Sequence, residues 1–223
     1  MQLAAVLWDM DGLLVDSEPL WTVAEVALAA ELGGTWSDQL KAAIAGTRLD
    51  VAVPAILEHY GYETDAATIA WASGWLLGRM IHLYAENPPL LPGVSELLTA
   101  VHEAGIPQAL VSSSYRVLVD AVLAHGVGPF ALTLCGDEVM HGKPHPEPYL
   151  TAAARLGVDA AACVVLEDST AGVLAGEAAG CAVVAVPSVP GVTVLETGRT
   201  LVRRSLAEVD LALLRGVVRS DRT

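Results

Sequence analysis

The chain has 223 residues, of which 53% are hydrophobic, so it is long enough for a large domain with an insert and a sizeable core. It carries 26 acidic against 12 basic residues, and the formal net charge of −14 argues against binding to nucleic acid or to anionic membranes. Three cysteines without a CxxC pair, and residues 1–8 without the pattern of a secretion signal, lead us to expect reduced thiols and a cytoplasmic location.

Short apolar runs alternate with helical stretches along most of the chain. This alternation predicts an α/β protein with a doubly wound parallel sheet, because parallel strands need helical crossovers. Five runs are predicted to be buried strands: Leu3–Trp8, Ile106–Val111, Ala131–Cys135, Cys163–Leu166 and Ala182–Val186.

The gap between the first and second predicted strands is about 100 residues, far longer than a crossover needs. Its pattern is helical, with predicted helices over 18–32, from Ser37 to near Gly46, over 49–60, and from Thr64 or Asp65 to about 86. We therefore predict a small α-helical cap domain at residues 17–87, inserted into a core of residues 1–16 and 88–223. Two tethers beside the first strand fit either a mobile lid or a static subdomain.

Two acids follow the first strand directly, at Asp9 and Asp11 in the run Asp9-Met10-Asp11-Gly12. The carboxyl ends of parallel strands are where α/β sheets bind ligands, and alternate side chains of an extended chain point the same way. Two close carboxylates repel each other unless a cation or a shared proton intervenes. The pair therefore indicates a working site, although acids that only cap a strand end are the alternative.

Hydroxyl groups and a lysine follow the next two strands. The run Ser112-Ser113-Ser114 can cradle a phosphate at the start of a helix, or it can be a helix cap without a ligand. Lys143 is one of only two lysines in the chain, and it lies in a proline-rich loop that would hold a cation in place for an anion.

Acids return after the fourth strand, at Glu167 and Asp168. Hard carboxylate oxygens of this kind suit Mg²⁺, whereas the alternative is that Asp168 only caps the next helix. His141 and His145 have the spacing of a helical zinc site, but Gly142 and Pro144 make a helix improbable there, so we reject that interpretation.

Taken together, these strand ends resemble the four motifs of the haloacid dehalogenase-like phosphohydrolase superfamily. The motifs are the DxDG run at Asp9, the serine at Ser112, the lysine at Lys143 and the acidic pair at Glu167 and Asp168. Within the superfamily the chain is similar to the β-phosphoglucomutase and sugar phosphatase branch. Residues 11–21 and 89–94 are especially similar to hexitol and 2-deoxyglucose 6-phosphate phosphatases.

The resemblance implies a Rossmann-like core and a Mg²⁺-dependent phosphatase that forms an aspartyl phosphate. It makes Asp9 the nucleophile and Asp11 the general acid and base. The implied metal ligands are Asp9, the backbone carbonyl of Asp11, and Asp168, with Glu167 nearby or bonded to a metal-bound water. The implied phosphate-binding groups complete the site: Ser112, Ser113 and Lys143.

Substrate choice is expected in the cap, at Thr47 and Arg48 of the loop Gly46-Thr47-Arg48, with Trp21 and Arg116 as further candidates. The implied partner is a small phosphorylated metabolite such as a sugar or polyol phosphate, with no nucleic acid and no membrane, for a monomer or weak homodimer. A phosphosugar mutase is the main alternative, although Trp21 stands where that enzyme has a cap histidine. A non-catalytic binding protein and a dehalogenase are further alternatives.

Overall fold

The structure, a computed structural model, describes residues 2–44, 47–86, 88–188 and 194–219. In this part of the chain six parallel strands form one sheet in the order β3-β2-β1-β4-β5-β6. This order winds outward in both directions from the neighbours β1 and β4, which is the arrangement of a doubly wound sheet. The strands are β1 (Ala5–Trp8), β2 (Gln108–Val111), β3 (Leu132–Leu134), β4 (Cys163–Glu167), β5 (Ala182–Ala185) and β6 (Thr200–Val202).

Helices fill both faces of the sheet and the long gap after β1. Those of the gap are α1 (Glu18–Glu31), α2 (Asp38–Ile44), α3 (Leu49–His59) and α4 (Ala66–Ala85). The others are α5 (Val94–Glu103), α6 (Arg116–Leu123), α7 (Glu147–Leu156), α8 (Thr170–Ala178) and α9 (Leu211–Arg219).

Alternate residues of the central strands enter two separate apolar cores. In β1, Val6 and Trp8 pack into the larger core, which also receives side chains from α1, α3, α4, α5 and α6. Ala5 and Leu7 point to the opposite face, where α7 and α8 cover the sheet. The period of two along a strand therefore divides one buried run between both faces, as a doubly wound sheet requires.

Helices α1 to α4 are connected to the rest of the protein by two neighbouring tethers. The Asp16 amide donates to the Pro89 carbonyl at 2.9 Å, and the Leu91 amide donates to the Leu14 carbonyl at 3.0 Å. The two tethers therefore lie side by side, and the first of them directly follows the Asp9 to Gly12 loop. Helix α4 also packs against α6 of the core, and His125 Nε2 lies 2.8 Å from the Tyr84 carbonyl.

The predicted α/β fold class is confirmed, with differences at the element ends. Each of the five predicted strands is present, and four of them are shorter than predicted. Asp65, rather than Thr64, caps α4 by accepting from the amides of Ala67 and Thr68. The edge strand β6 was not predicted, because its three residues lie between Arg199 and Arg203 and are too few to form an apolar run. None of the helices described is both long and apolar enough to span a membrane.

Candidate active site

The sheet register brings the four polar strand ends to one edge. Trp8 of β1 pairs with Leu110 of β2 on one side and with Leu166 of β4 on the other. Residues one or two positions beyond these partners therefore leave the sheet side by side, and they include Asp9, Ser112 and Asp168. The edge lies at the switch between β1 and β4, which is where ligands bind in open α/β sheets.

Lys143 joins three of these strand ends through its ammonium group. Its Nζ donates to Asp9 Oδ1 at 2.5 Å, to Glu167 Oε1 at 2.7 Å and to the Val111 carbonyl at 2.9 Å. The Lys143 side chain is only 3% exposed, so these charges interact with little screening by water. The lysine therefore connects the ends of β1, β2 and β4 at a single point.

The pKa values show how the charges of this cluster act on one another. Burial raises the pKa of Asp9 well above its usual range, and Glu167 and Asp168 add to the rise although Lys143 opposes it. Burial alone would lower the pKa of Lys143, but Asp9 and Glu167 outweigh it and hold that pKa well above its ordinary value. Burial and the neighbouring Glu167 raise the pKa of Asp168 to about 8. The acids therefore form a site where a further cation would be stabilising.

Glu167 is fully buried and uses both of its oxygens to hold neighbouring groups. Oε1 accepts from Lys143 and from the Tyr149 hydroxyl, and Oε2 accepts from the Asp168 amide and from the Ser169 amide and hydroxyl. The Tyr149 ring also lies under the Lys143 ammonium, with 5.0 Å from Nζ to the ring centroid. Glu167 is thus arranged to position Lys143 and the start of α8.

Asp11 is oriented quite differently from Asp9. Its Oδ1 accepts from the Tyr84 hydroxyl at 2.8 Å and from Trp21 Nε1 at 3.2 Å. Its Oδ2 accepts from the Ser114 hydroxyl at 2.7 Å and lies 3.4 Å from the Ser112 hydroxyl. The Asp11 carboxylate therefore contacts both the inserted helices and the serine loop, and no lysine or arginine bonds to it among the described residues.

Gly12 allows the two acidic loops to approach each other. Its φ is +78°, and a Cβ atom at this position would lie 2.2 Å from Asp168 Oδ2 and 2.6 Å from the Ser188 hydroxyl oxygen. Ser188 donates to the same Asp168 oxygen at 2.5 Å. Any larger residue would displace Asp168, so glycine is required here both for its backbone conformation and for space.

The carboxylates at this edge can hold a metal ion. Ligand atoms of Asp9, Glu167 and Asp168 all lie within 4.8 Å of one another. Hard oxygen ligands of this type suit Mg²⁺ or Ca²⁺. Because Glu167 is already bonded to several donors, Asp9 and Asp168 are the better placed of the three side chains for direct contact with a cation.

A cleft of about 480 Å³ lies between this edge and the inserted helices. Its lining includes Thr47, Trp21 and Ser113 together with Asp9, Asp11, Lys143 and Asp168. Most of the predicted site residues are thus brought together around one cavity, with Ser112 next to it through its contact with Asp11.

Two of the residues proposed for substrate contact face other groups. Arg48 forms a two-point ion pair with Asp50, at 3.0 and 2.6 Å, and its Nη1 lies 3.4 Å from the Val139 carbonyl. Arg116 binds Glu138 at 2.8 Å and the Thr133 hydroxyl at 2.7 Å. A nearby carboxylate captures each guanidinium, and neither arginine is among the described residues that line the cleft. Gly46 lies outside the described residues.

His141 and His145 lie in a non-helical loop and are not among the described residues that line the cleft. The rings of His141 and His145 are 4.6 Å apart, and His141 Nδ1 bonds to Glu147 at 2.8 Å. Glu147 also accepts from the amides of Met140 and His141, so it closes the loop that carries Lys143.

Sequence reasoning missed several groups that contact the predicted residues. Tyr84 and Tyr149 bond to Asp11 and Glu167, and burial raises the pKa of each hydroxyl well above its usual value. Ser114 belongs to the predicted serine run and could have been included for that reason. Ser188 gives no comparable signal, because its contact with Asp168 depends on the loop after β5.

Comparisons with known proteins agree with this geometry. The family model described as haloacid dehalogenase-like hydrolase matches residues 3–180. Hexitol phosphatase B from Escherichia coli (strain K12) is 36% identical over 191 residues, which cover 84% of this chain and 85% of that protein.

Solved structures support the same grouping. The structure of CbbY from Rhodobacter sphaeroides in complex with phosphate superposes with a TM-score of 0.83 at 27% identity, and covers 95% of this chain and 99% of that one. A β-phosphoglucomutase from Clostridium difficile superposes with a TM-score of 0.82, over 97% of each chain. Its identity is 22%, so this second likeness concerns the fold alone.

Proposed function

The chain belongs to the haloacid dehalogenase-like hydrolase family and is a phosphoric monoester hydrolase, and from this premise we propose that it hydrolyses a small sugar or polyol phosphate through an aspartyl phosphate on Asp9. The observation that carries the proposal is the contact of Lys143 Nζ with Asp9 Oδ1 at 2.5 Å, beside the serine loop. A carboxylate next to a fixed cation can approach a phosphate dianion, which the net charge of −14 would otherwise repel.

In the first proposed step an Asp9 oxygen attacks phosphorus and the bond from phosphorus to the ester oxygen breaks. Asp11, entering this step protonated, gives its proton to the departing alkoxide. Lys143, the Ser112 hydroxyl and the Ser113 amide bind the phosphoryl oxygens, where charge must be stabilised during transfer. Covalent catalysis of this kind divides one difficult displacement into two easier ones.

In the second step water attacks the same phosphorus atom and the bond to Asp9 breaks. The Asp11 carboxylate takes a proton from this water and returns to its initial state as phosphate leaves. Support for this division comes from the different surroundings of the two acids. Asp9 is bonded to a lysine, whereas Asp11 accepts hydrogen bonds only from neutral hydroxyl and indole groups among the described residues.

The proposed cofactor is Mg²⁺, and the donor set fits it. Asp9 and Asp168 offer carboxylate oxygens within 4.8 Å, and the Asp11 backbone carbonyl would complete the protein ligands, with Glu167 behind them. When bound, the ion would offset negative charge on the phosphoryl group and on Asp9. Gly12 and Ser188 support this role because they fix the approach of Asp168 to the first loop.

The substrate class rests on the relatives and on the cleft. Hexitol phosphatase B matches most of this chain, and a cavity of about 480 Å³ suits a small metabolite. We keep Thr47 as a proposed specificity residue, because it lines the cleft. A phosphosugar mutase is the second candidate, since a β-phosphoglucomutase shares the fold, but Trp21 is bonded to Asp11.

The test is phosphate release from a panel of sugar, polyol and aryl phosphates, with Mg²⁺ and with EDTA. We expect release by the wild-type protein with Mg²⁺, its loss with EDTA, and its loss in Asp9→Asn. Full release by Asp9→Asn would overturn the mechanism. Conversion of β-glucose 1-phosphate to the 6-phosphate without net phosphate release would favour the mutase instead.

A further inference from the structure

The cleft contains a buried carboxyl group, one oxygen of which accepts no hydrogen bond from the described part of the chain. Glu25 on α1 is 9% exposed and lines the cleft, and its Oε2 has no hydrogen-bond partner within the described residues. Buried polar atoms are nearly always bonded, because an unpaired one loses its hydration without compensation. Since Glu25 lines the cleft, its unpaired carboxyl group is a candidate for contact with a ligand.

Glu25 lies on the same face of α1 as Trp21, the residue that contacts Asp11. Glu18, Trp21 and Glu25 are three and four residues apart, so they share one side of α1, and all three line the cleft. Trp21 Nε1 donates to Asp11 Oδ1 at 3.2 Å, which places this turn of α1 beside the proposed general acid and base. Glu25 follows one turn later, about 6 Å further along the helix axis. It therefore faces the part of a substrate that is distant from the phosphate.

The charges around Glu25 select against a second acid in the substrate. Lys41 pairs with Glu18 at 3.2 Å and bonds to the Thr22 hydroxyl, so its positive charge is already partly offset by Glu18. Lys41 and Glu18 are also the two charged groups that act on Glu25, in opposite directions. Two carboxyl groups and one ammonium would repel a terminal carboxylate, but they would accept the hydroxyl groups of a neutral chain.

The remaining walls of this end are apolar. Buried side chains from α2, α3 and α4 also line the cleft: Ile44, Leu49, Ala52, Ile56 and Leu76. A few fixed polar groups in an apolar cavity are what gives a small-molecule site its orientation and specificity.

We propose that Glu25 is a specificity-determining residue that accepts a hydrogen bond from a hydroxyl group at the end of the substrate distal to its phosphate, with Lys41 donating to a neighbouring oxygen. The substrate class is then a neutral polyhydroxylated phosphate ester, and esters that end in a carboxylate are disfavoured. This inference rests on the proposed phosphatase activity and adds a substrate preference to it.

The experiment measures kcat/KM for sorbitol 6-phosphate, p-nitrophenyl phosphate and 2-phosphoglycolate in the wild-type protein, Glu25→Gln and Glu25→Leu. A lost hydrogen bond to a charged group corresponds to about tenfold or more. We expect Glu25→Leu to lose at least about tenfold more on sorbitol 6-phosphate than on p-nitrophenyl phosphate, with Glu25→Gln intermediate because its amide oxygen still accepts. At pH 8, above the pKa of about 7 that burial gives Glu25, the kcat/KM for 2-phosphoglycolate should rise in Glu25→Gln, since a negative charge is removed.

Glu31→Gln is the matched control, because Glu31 is an exposed residue on the same helix. It should leave all three kcat/KM values as in the wild-type protein. Equal losses on every ester in the Glu25 variants, without the rise on 2-phosphoglycolate, would overturn the inference while leaving the proposed function intact. If Glu25→Leu does not fold, Glu25→Gln decides by the same two comparisons. No hydrolysis of any ester by the wild-type protein would instead contradict the proposed function.

Discussion

The two ends of the cleft hold their charged groups in opposite ways. At the strand edge, Lys143 bonds to Asp9 and Glu167, and the five donors on Glu167 leave neither of its oxygens without a partner. At the cap end, Glu25 is also buried, but its Oε2 has no protein donor within the described residues. The comparison indicates that the phosphate end is organised before substrate arrives, whereas the cap end leaves an acceptor for the substrate to fill.

This difference also separates the residues proposed for catalysis from the residue proposed for substrate selectivity. A network in which each member is held by several others keeps reacting groups in place without reorganisation. A single unsatisfied carboxyl makes a weaker contribution to rigidity, and its free-energy cost is offset only when a suitable ligand binds. The variants below test whether the two ends behave in these two ways.

The largest effect is expected at the strand edge, in Lys143→Met. Removing the ammonium leaves Asp9 and Glu167 buried side by side, which should lower the free energy of unfolding by about 3–5 kcal/mol at pH 7. Urea denaturation gives this value. Lys41→Met is the control, because Lys41 and Glu18 are 25% and 31% exposed and such pairs contribute less than about 1 kcal/mol. Similar losses of unfolding free energy in Lys143→Met and Lys41→Met would show that the buried charges at the strand edge stabilise the protein no more than the exposed pair does.

At the cap end, Glu25→Gln should instead stabilise the protein. Burial raises the pKa of Glu25 from 4.5 to about 7, so the folded state retains a proton that the unfolded state releases between these values. Stability is thus lost as pH rises through this window, by about 3 kcal/mol in total above pH 7. The variant lacks this loss. Its unfolding free energy should match that of the wild-type protein near pH 4.5 and exceed it by up to about 3 kcal/mol at pH 8.

The control for this pH series is Glu31→Gln, whose exposed side chain should give no pH-dependent difference from the wild-type protein. A difference for Glu25→Gln that stays constant from pH 4.5 to 8 would mean that Glu25 titrates like a solvated carboxyl. The cap end would then lack the unsatisfied group on which the comparison depends.

Gly12→Ala tests the steric coupling between the two acidic loops. The matched control is Gly33→Ala, because Gly33 has nearly the same φ, +76°, but a Cβ atom added there would meet no other atom within 4 Å. Both variants should lose about 1–2 kcal/mol from backbone strain alone. Gly12→Ala should lose about 1–3 kcal/mol more and should bind Mg²⁺ more weakly, because Asp168 must move. Equal losses and equal Mg²⁺ affinity, measured by denaturation and calorimetry, would contradict the coupling.

The smallest effect is expected for Arg48→Ala. Its ion pair with Asp50 is partly exposed, since the Asp50 side chain is 49% exposed, so stability should fall by less than about 1 kcal/mol. The KM for sorbitol 6-phosphate should change less than in Glu25→Leu, because Arg48 faces Asp50 and Val139 rather than the cleft. A larger KM increase in Arg48→Ala would make the loop at Thr47 and Arg48 the main source of selectivity.

The sequence predicts the strand edge much better than the cap end, for a physical reason. Asp9, Lys143 and Asp168 directly follow buried strands or lie in a loop between elements, and the parallel register brings such positions together whatever the rest of the fold does. Sequence patterns alone are therefore enough to predict that these groups meet around one cleft.

Contacts among the inserted helices depend on packing that local patterns do not encode. Glu25 appears in the sequence as an acid on an alanine-rich helix, and its burial arises only in the folded protein. Tyr84 reaches Asp11 for the same reason, since α4 returns to the tether beside β1. Arg48 is the opposite case. The sequence suggests that its side chain is free to contact substrate, but the Asp50 carboxylate two residues away binds it.

The most direct test of the account is to locate the phosphoryl group during turnover. Wild-type protein and Asp11→Asn are mixed with sorbitol 6-phosphate and Mg²⁺, quenched in acid and mapped by peptide mass spectrometry. We expect a hydroxylamine-labile phosphoryl group on Asp9 of the wild-type protein, its slower formation in Asp11→Asn because the first step lacks its general acid, and none in Asp9→Asn. Phosphate release without any phosphorylated Asp9, or with the group on another residue, would contradict it.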